Sequence, residues 1–154
     1  MLTRILSLLL ALAVGATIIA APAIGDPLAQ DLDGQLSECQ GLYKKGMHQA
    51  VLSKCDSMLK LDPNCVDAQV LKGGAYLGLK KYDKARDQAN TVIKLRPDLG
   101  NAFLIRGAAQ GGLQNYKQAV NDCTTALKLD PGLEAQVSFH RADALQNLPS
   151  PANT

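Results

Sequence analysis

The sequence has few aromatic residues and few histidines, and this scarcity excludes several kinds of site. Only 4% of its 154 residues are aromatic and none is Trp, so a surface that stacks bases or sugar rings is not expected. The histidines, His48 and His140, are separated by most of the chain, and no His-Glu-x-x-His, Cys-x-x-Cys or Gly-x-Ser-x-Gly motif is present. A catalytic site needs several polar side chains that converge on one point, and a metal site needs several ligands. The sequence therefore predicts a protein that is not an enzyme, with no catalytic residues, no metal and no cofactor.

A large excess of charge of either sign is also missing. Sixteen Lys and Arg residues oppose 14 Asp and Glu, a net charge of +2. This balance excludes a strongly basic nucleic-acid binder. The stretch from Lys44 to Arg96 is locally basic, which is typical of solvated helix exteriors. The alternative is that this basic stretch binds an acidic partner or an anionic membrane surface.

The N-terminal stretch contains no charged residue from Ile5 to Gly25. A positive start, a Leu/Ala-rich run and the small residues Ala21-Pro22-Ala23 predict a signal peptide over 1–23, cleaved on export to the periplasm or the extracellular space. The alternative is an uncleaved membrane anchor over 5–25, since a spanning helix needs about 20 apolar residues. We expect a polar lead-in at 24–34.

A five-residue pattern recurs in the remainder of the chain. It reads Leu-Lys-Leu-Asp-Pro at 59–63 and at 127–131, and Ile-Lys-Leu-Arg-Pro at 93–97, so that its prolines follow one another at equal intervals. Each period predicts two helices, in the middle period over about 66–79 and 82–95. Proline ends the second helix because it cannot continue helical hydrogen bonding.

This repeating unit has the length of, and resembles, the unit of the tetratricopeptide repeat (TPR) family. Residues that match the family pattern are Gly73, Tyr76, Tyr82, Ala85, Gly107, Tyr116 and Ala119, with Pro63, Pro97 and Pro131. The resemblance implies an all-α fold, a right-handed superhelical solenoid of three helix–turn–helix units over about 32–65, 66–99 and 100–133. A capping helix at 133–148 completes a TPR domain over 35–148, followed by a tail at 149–154. Lys72 and Arg106 depart from the pattern, because the family usually has Leu there, and the register of the first unit is not fixed.

The resemblance implies a function as well as a fold. TPR proteins bind protein partners in a concave groove formed by the first helices of the units, so we expect a protein–protein interaction module that binds an apolar peptide or helix. The alternative is a structural accessory subunit packed permanently in an envelope or cell-surface assembly. No nucleic acid or small-molecule substrate is expected. The groove positions implied by the resemblance are Val70, Gly74, Leu77, Gly78, Leu104, Ala108, Gly111, Gly112, Ala142 and Leu145.

These groove positions carry no charge, which leads to three expectations. Gly74, Gly78, Gly111 and Gly112 are expected to let a ligand approach the backbone, since glycine inside a helix otherwise costs about 0.5–1 kcal/mol relative to alanine. Leu77 and Leu104 are expected to be exposed and to tolerate substitution by Asp. Some TPR domains hold chaperone C-terminal carboxylates with Lys, Asn and Arg, and this chain has no basic residue at the matching positions, which are Leu36, Gln40, Leu71, Asn101 and Ile105.

Four cysteines complete the candidate residues. In the TPR pattern the positions of Cys39 and Cys55 face each other across the two helices of the first unit, so the resemblance implies a disulfide in an oxidising compartment. Such a bond would contribute about 3 kcal/mol in the chain-entropy description. Cys65 and Cys123 are expected to be free thiols.

Overall fold

The computed structural model describes residues 27–148, with side chains from residue 32 onward. The predicted signal peptide or anchor, residues 24–26 of the predicted lead-in and the tail at 149–154 lie outside the described residues. No strand is present in the described range, and none of its helices is long and apolar enough to cross a membrane. The helices are α1 (Pro27–Lys44), α2 (His48–Leu61), α3 (Val66–Gly78), α4 (Tyr82–Leu95), α5 (Gly100–Gly112), α6 (Tyr116–Leu129) and α7 (Glu134–Gln146), with a 3₁₀ turn at Pro131–Leu133 before α7.

Consecutive helices pack against each other, as the repeat predicts. Contacts run from α3 to α4, from α4 to α5, from α5 to α6 and from α6 to α7, and α2 packs on α3. In addition, α3 packs on α5 and α5 packs on α7, so the first helices of successive units form an inner layer. This arrangement confirms the predicted all-α solenoid, with α7 covering its last pair.

The turns inside the three units have the same backbone geometry. Gly46, Lys80 and Gln114 occupy the same position of successive units and have φ angles of 73°, 56° and 63°. Each left-handed residue ends one helix and redirects the chain into the next. The first unit therefore keeps the register of the other two, and His48 begins α2 where Tyr82 and Tyr116 begin α4 and α6.

The first helix is longer than the sequence pattern predicts. It begins at Pro27, so residues 27–34, which the polarity of the sequence assigns to a lead-in, are helical. Proline suits the first position of a helix because its missing N–H would have no partner there. Asp33 and Gly34 are exposed, so their polarity marks an outward-facing part of the helix rather than an irregular segment.

The helix pairs approach closely because small residues lie between them. A Cβ atom at Gly107 would lie 3.1 Å from Cys123 Sγ and 3.2 Å from the carbonyl oxygen of Ala119. A Cβ at Gly73 would lie 3.2 Å from a methyl carbon of Ile105. These two glycines are therefore packing residues, as the resemblance implies.

Charged side chains link helices at one repeated position, which explains the two departures at Lys72 and Arg106. Glu38, Lys72 and Arg106 occupy equivalent positions of the three units, and we call them with their partners the junction ladder. Lys72 reaches back to Asp56 of the preceding unit, with a distance of 2.7 Å between Nζ and Oδ1. Arg106 donates to both oxygens of Asp122, at 2.9 and 2.7 Å, and to Asn90 Oδ1 of the preceding unit at 3.0 Å. Glu38 pairs with Lys54.

Candidate functional site

The inner layer carries a groove made of two adjoining cavities. Their volumes are about 350 Å³ and 390 Å³. Helices α1, α3, α5 and α7 all contribute to them. The cavities share five lining residues and therefore form one continuous groove: Tyr43, Gly74, Leu77, Ala108 and His140.

The first cavity is mainly aliphatic. Apolar side chains from α3 and α5 form its floor, and Asn101, Gln136 and His140 supply polar atoms at its edges. Neither Lys nor Arg lines it. The cavity therefore suits an apolar side chain of a ligand with a few hydrogen bonds at the rim. Its aliphatic lining consists of Val70, Leu71, Leu77, Leu104, Ile105 and Ala108.

The second cavity has an aromatic wall. Tyr43, Tyr82, Phe139 and His140 line it together with the carboxylate residue Asp143. Four glycines also line it: Gly74, Gly78, Gly111 and Gly112. Phe139 is 72% exposed, an unusual position for a large apolar ring. Its ring meets that of His140 edge to face, with centroids 5.2 Å apart.

Most of the groove positions implied by the resemblance line these cavities. Eight of them do so: Val70, Gly74, Leu77, Gly78, Leu104, Ala108, Gly111 and Gly112. The two positions on α7, Ala142 and Leu145, line neither cavity. Helix α7 instead presents Gln136, His140 and Asp143, which lie along one face at spacings of four and three residues. Val137 and Ala144 are buried on another face, and this packing fixes the rotation of the helix.

The glycines have a different role from the expected one at three of four positions. A Cβ at Gly74 would lie 2.8 Å from the Tyr43 hydroxyl oxygen, and one at Gly112 would lie 2.5 Å from the Tyr82 ring. A Cβ at Gly78 would collide with the His48 ring. These glycines therefore make room for an aromatic side chain of the preceding unit rather than for a ligand. Only Gly111 among the four has no atom within 4 Å of such a Cβ.

Leu104 is less exposed than the groove assignment implies. Its side chain is only 9% exposed, and it belongs to a buried cluster with Cys123, Ala126, Leu133 and Val137. Because α5 packs against both α6 and α7, its surface at Leu104 is partly covered. The expectation that Leu104 is exposed is therefore wrong, and Leu104→Asp is expected to destabilise the fold, whereas Leu77 is half-buried.

Charge in the groove is limited to the second cavity. Burial lowers the pKa of His140, and the nearby Asp143 carboxylate opposes this effect only in part. The imidazole is therefore neutral near pH 7. Within residues 32–148, Asp143 forms no ion pair, and its Oδ1 is 3.4 Å from the side-chain nitrogen of Asn147. The groove thus contains one carboxylate and no fixed positive charge.

The cysteines are placed as the resemblance implies. Cys39 and Cys55 are both fully buried, and their sulfur atoms lie 3.6 Å apart as thiols. Burial raises the pKa of both thiols. Cys123 is buried against Gly107 and Cys65 is half-buried. The disulfide itself stays a prediction. No group of three or more His, Cys, Asp or Glu residues that could hold a metal occurs in the described part of the chain.

Comparison with known proteins supports the repeat assignment. The family model described as tetratricopeptide repeat matches residues 66–99. No curated protein sequence matches the chain significantly. Among solved structures, the Arabidopsis OM64 TPR domain is similar, with a TM-score of 0.71 and 18% identity over 79% of this chain and 99% of that one.

Two further similar structures are complexes with a ligand. The second TPR domain of human RPAP3, solved with the HSP70 peptide SGPTIEEVD, has a TM-score of 0.67 and 22% identity over 77% of this chain and 98% of that one. The yeast Sti1 TPR2B domain in complex with pHsp70 has a TM-score of 0.69 and 18% identity over 77% of this chain and 99% of that one. The chain therefore has the TPR fold, and residues 66–99 form a tetratricopeptide repeat.

Proposed function

We propose that this chain is a non-catalytic interaction module that binds an apolar peptide or helix in the groove formed by α1, α3, α5 and α7. The observation that carries the proposal is the continuous groove with an aliphatic floor at its first cavity. The complexes of the human and yeast TPR domains support the proposal, because these similar structures were solved with an HSP70 peptide and with pHsp70. We expect a ligand without the acidic C-terminal end that a carboxylate clamp holds. Such a clamp needs basic side chains, and the residues at the matching positions of the first cavity are Leu71, Asn101 and Ile105.

We further propose that the module works outside the cytoplasm, in the periplasm or the extracellular space. The uncharged run from Ile5 to Gly25, preceded by Arg4, supports export. Intact-mass analysis of the protein from its native source tests this. A mature chain that starts near Ile24 agrees with a cleaved signal. An intact Met1 in the membrane fraction would instead indicate an anchor over residues 5–25.

A selection from a displayed library of random peptides tests the groove. We expect peptides rich in aliphatic residues to bind the wild type, and Leu77→Asp to abolish their binding while circular dichroism and the melting temperature stay close to wild type. Leu95→Asp is the matched control, because Leu95 is an exposed leucine of α4 outside both cavities. Retention of binding by Leu77→Asp would place the site elsewhere.

The alternative, a permanent structural subunit, has an observation of its own. Leu61, Leu95 and Leu129 are equivalent residues at the ends of α2, α4 and α6, and all three are exposed. Exposed apolar side chains repeated along one edge are typical of a contact surface for a larger assembly. In that case Leu95→Asp, and not Leu77→Asp, would disrupt co-purification of the partner, so the same two variants separate the functions.

A further inference from the structure

We propose that the second cavity binds a cationic side chain, so that the partner segment combines apolar residues with a lysine or arginine. The inference rests on the proposed function, because it names the chemistry of the same groove. Its basis is the combination of three aromatic rings, a carboxylate and no Lys or Arg around one cavity of about 390 Å³.

Three aromatic rings line the second cavity. Tyr43 of α1, Tyr82 of α4 and Phe139 of α7 all line the cavity, although they are far apart in the sequence. The faces of aromatic rings attract cations electrostatically, and groups of rings are a known way to hold ammonium groups. Three of the six aromatic residues of the chain thus meet at a single cavity.

The charges around the second cavity favour a cation. Asp143 lines the cavity and has no Lys or Arg partner within the described side chains, so its carboxylate is available to a ligand. His140 is neutral near pH 7 because burial lowers its pKa, and it adds no repulsion. Lys44 and Lys81 neighbour Tyr43 and Tyr82 in the sequence, but both are exposed and absent from the lining, where water and salt screen their charge.

Glycines beneath two of these rings hold them in position. The rings of Tyr43 and Tyr82 pack over Gly74 and Gly112, and substitution of either glycine would displace a ring. The rings are therefore held in place before a ligand arrives, which lowers the entropy cost of binding. Gly111 also lines this cavity, and a Cβ at Gly111 would meet no atom within 4 Å.

The experiment titrates the full ¹⁵N-labelled chain with tetramethylammonium chloride and with tert-butanol, its neutral analogue of similar shape, while sodium chloride keeps the ionic strength constant. We expect tetramethylammonium to shift the amide signals of Gly111, Gly112, Phe139 and Asp143 in a saturable way, and tert-butanol to leave them nearly unchanged. Equal shifts with both compounds would overturn the proposal, because they would show an apolar site without preference for a cation. The absence of saturable shifts with tetramethylammonium would also overturn it.

Two substitutions sharpen the result. Asp143→Asn and Phe139→Leu should each weaken tetramethylammonium binding at least about threefold, since each removes one of the attractive groups. Glu134→Gln is the matched control, because Glu134 is an exposed acid on the same helix outside both cavities. An unchanged affinity in Asp143→Asn, or an equal loss in Glu134→Gln, would contradict a site built around Asp143.

A peptide comparison separates this proposal from the proposed function. Peptides selected on the wild type are resynthesised with each Lys or Arg replaced by norleucine, which keeps an alkyl chain and removes the charge. We expect a loss of affinity of about fivefold or more. Peptides that need Leu77 but bind equally well with norleucine would overturn the cationic site and leave the groove function intact. A selection without binders, together with saturable tetramethylammonium binding, would overturn the groove function alone.

Discussion

Gly111 offers the sharpest test of the groove, because it is the floor glycine whose Cβ would meet no other atom within 4 Å. In Gly111→Ala the added methyl group has free space, and alanine favours the helix over glycine by about 0.5–1 kcal/mol in helix interiors. Since Gly111 is in the last turn of α5, we expect a gain near the lower end of this range. That corresponds to a rise in melting temperature of roughly 2 °C for a domain of this size.

The other helix glycines supply the contrast. A Cβ at Gly107 would press against the backbone oxygen of Ala119 and against Cys123 Sγ, at 3.2 and 3.1 Å, and neither atom can move far. We therefore expect Gly107→Ala to cost about 1–3 kcal/mol, the usual penalty of overpacking. Gly112→Ala should also destabilise, because the Tyr82 ring would be only 2.5 Å from the new carbon.

The assay is urea unfolding of the variants followed by circular dichroism, combined with binding of a selected peptide. Gly111→Leu should keep the fold and strongly lower the peptide affinity, because Gly111 lines the second cavity and a side chain there would enter open space. A destabilisation of Gly111→Ala as large as that of Gly107→Ala would refute the reasoning, since it would mean that α5 is packed on its groove side. Unchanged peptide affinity in Gly111→Leu would show that the ligand does not contact this floor.

Four further outcomes are expected. Asp122→Ala should lower the unfolding free energy by about 1–3 kcal/mol in urea titrations, because it leaves the half-buried guanidinium of Arg106 without its bidentate partner. The double variant Arg106→Leu/Asp122→Leu should recover part of this loss, because it removes both charges. Non-reducing peptide mapping of the protein from its native source should yield a linked Cys39–Cys55 peptide, and four alkylatable thiols would contradict the disulfide. Calorimetry should detect no binding of the peptide SGPTIEEVD, and micromolar affinity would contradict the absence of a clamp. Because the pKa of His140 is lowered in the folded state, the unfolded chain binds the imidazole proton more readily. The contribution of His140 to stability should therefore be constant above the unfolded pKa of about 6.5, fall as the pH drops through that value and level off below the folded pKa. His140→Gln should remove this dependence in thermal melts.

The repeat made the fold predictable from the sequence, because proline spacing and small residues at fixed positions specify helix ends and close packing directly. The register of the first unit could not be read in the same way, since His48 replaces the tyrosine that begins the second helix in the other units. The repeated left-handed turn at Gly46 is a signal that could have fixed it, but Lys80 and Gln114 at the matching positions do not suggest positive φ angles.

The site was predictable only where local pattern controls it. Groove positions on α3 and α5 follow from the repeat, whereas the rotation of α7 depends on which of its faces packs against α5 and α6. The aromatic wall was missed because Tyr43, Tyr82 and Phe139 come from three different helices, and only tertiary packing brings them to one cavity. The packing role of Gly74, Gly78 and Gly112 was missed for the same reason, since the rings that need their space belong to the preceding unit rather than to neighbouring residues of the same helix.

The junction ladder bears on how three similar units assemble in the right order. Near-identical repeats can pair with the wrong neighbour during folding, and such domain-swapped species tend to aggregate. Along the ladder the first helices carry Glu38, Lys72 and Arg106, and their partners are Lys54, Asp56 and Asp122. If α3 took the place of α1, Lys72 would face Lys54 and two positive charges would meet in a partly dehydrated junction. The charge pattern thus distinguishes the place of α1, whose partner is a lysine, from the places of α3 and α5, whose partners are aspartates. It constrains the position of the first unit in a way that hydrophobic packing alone would not.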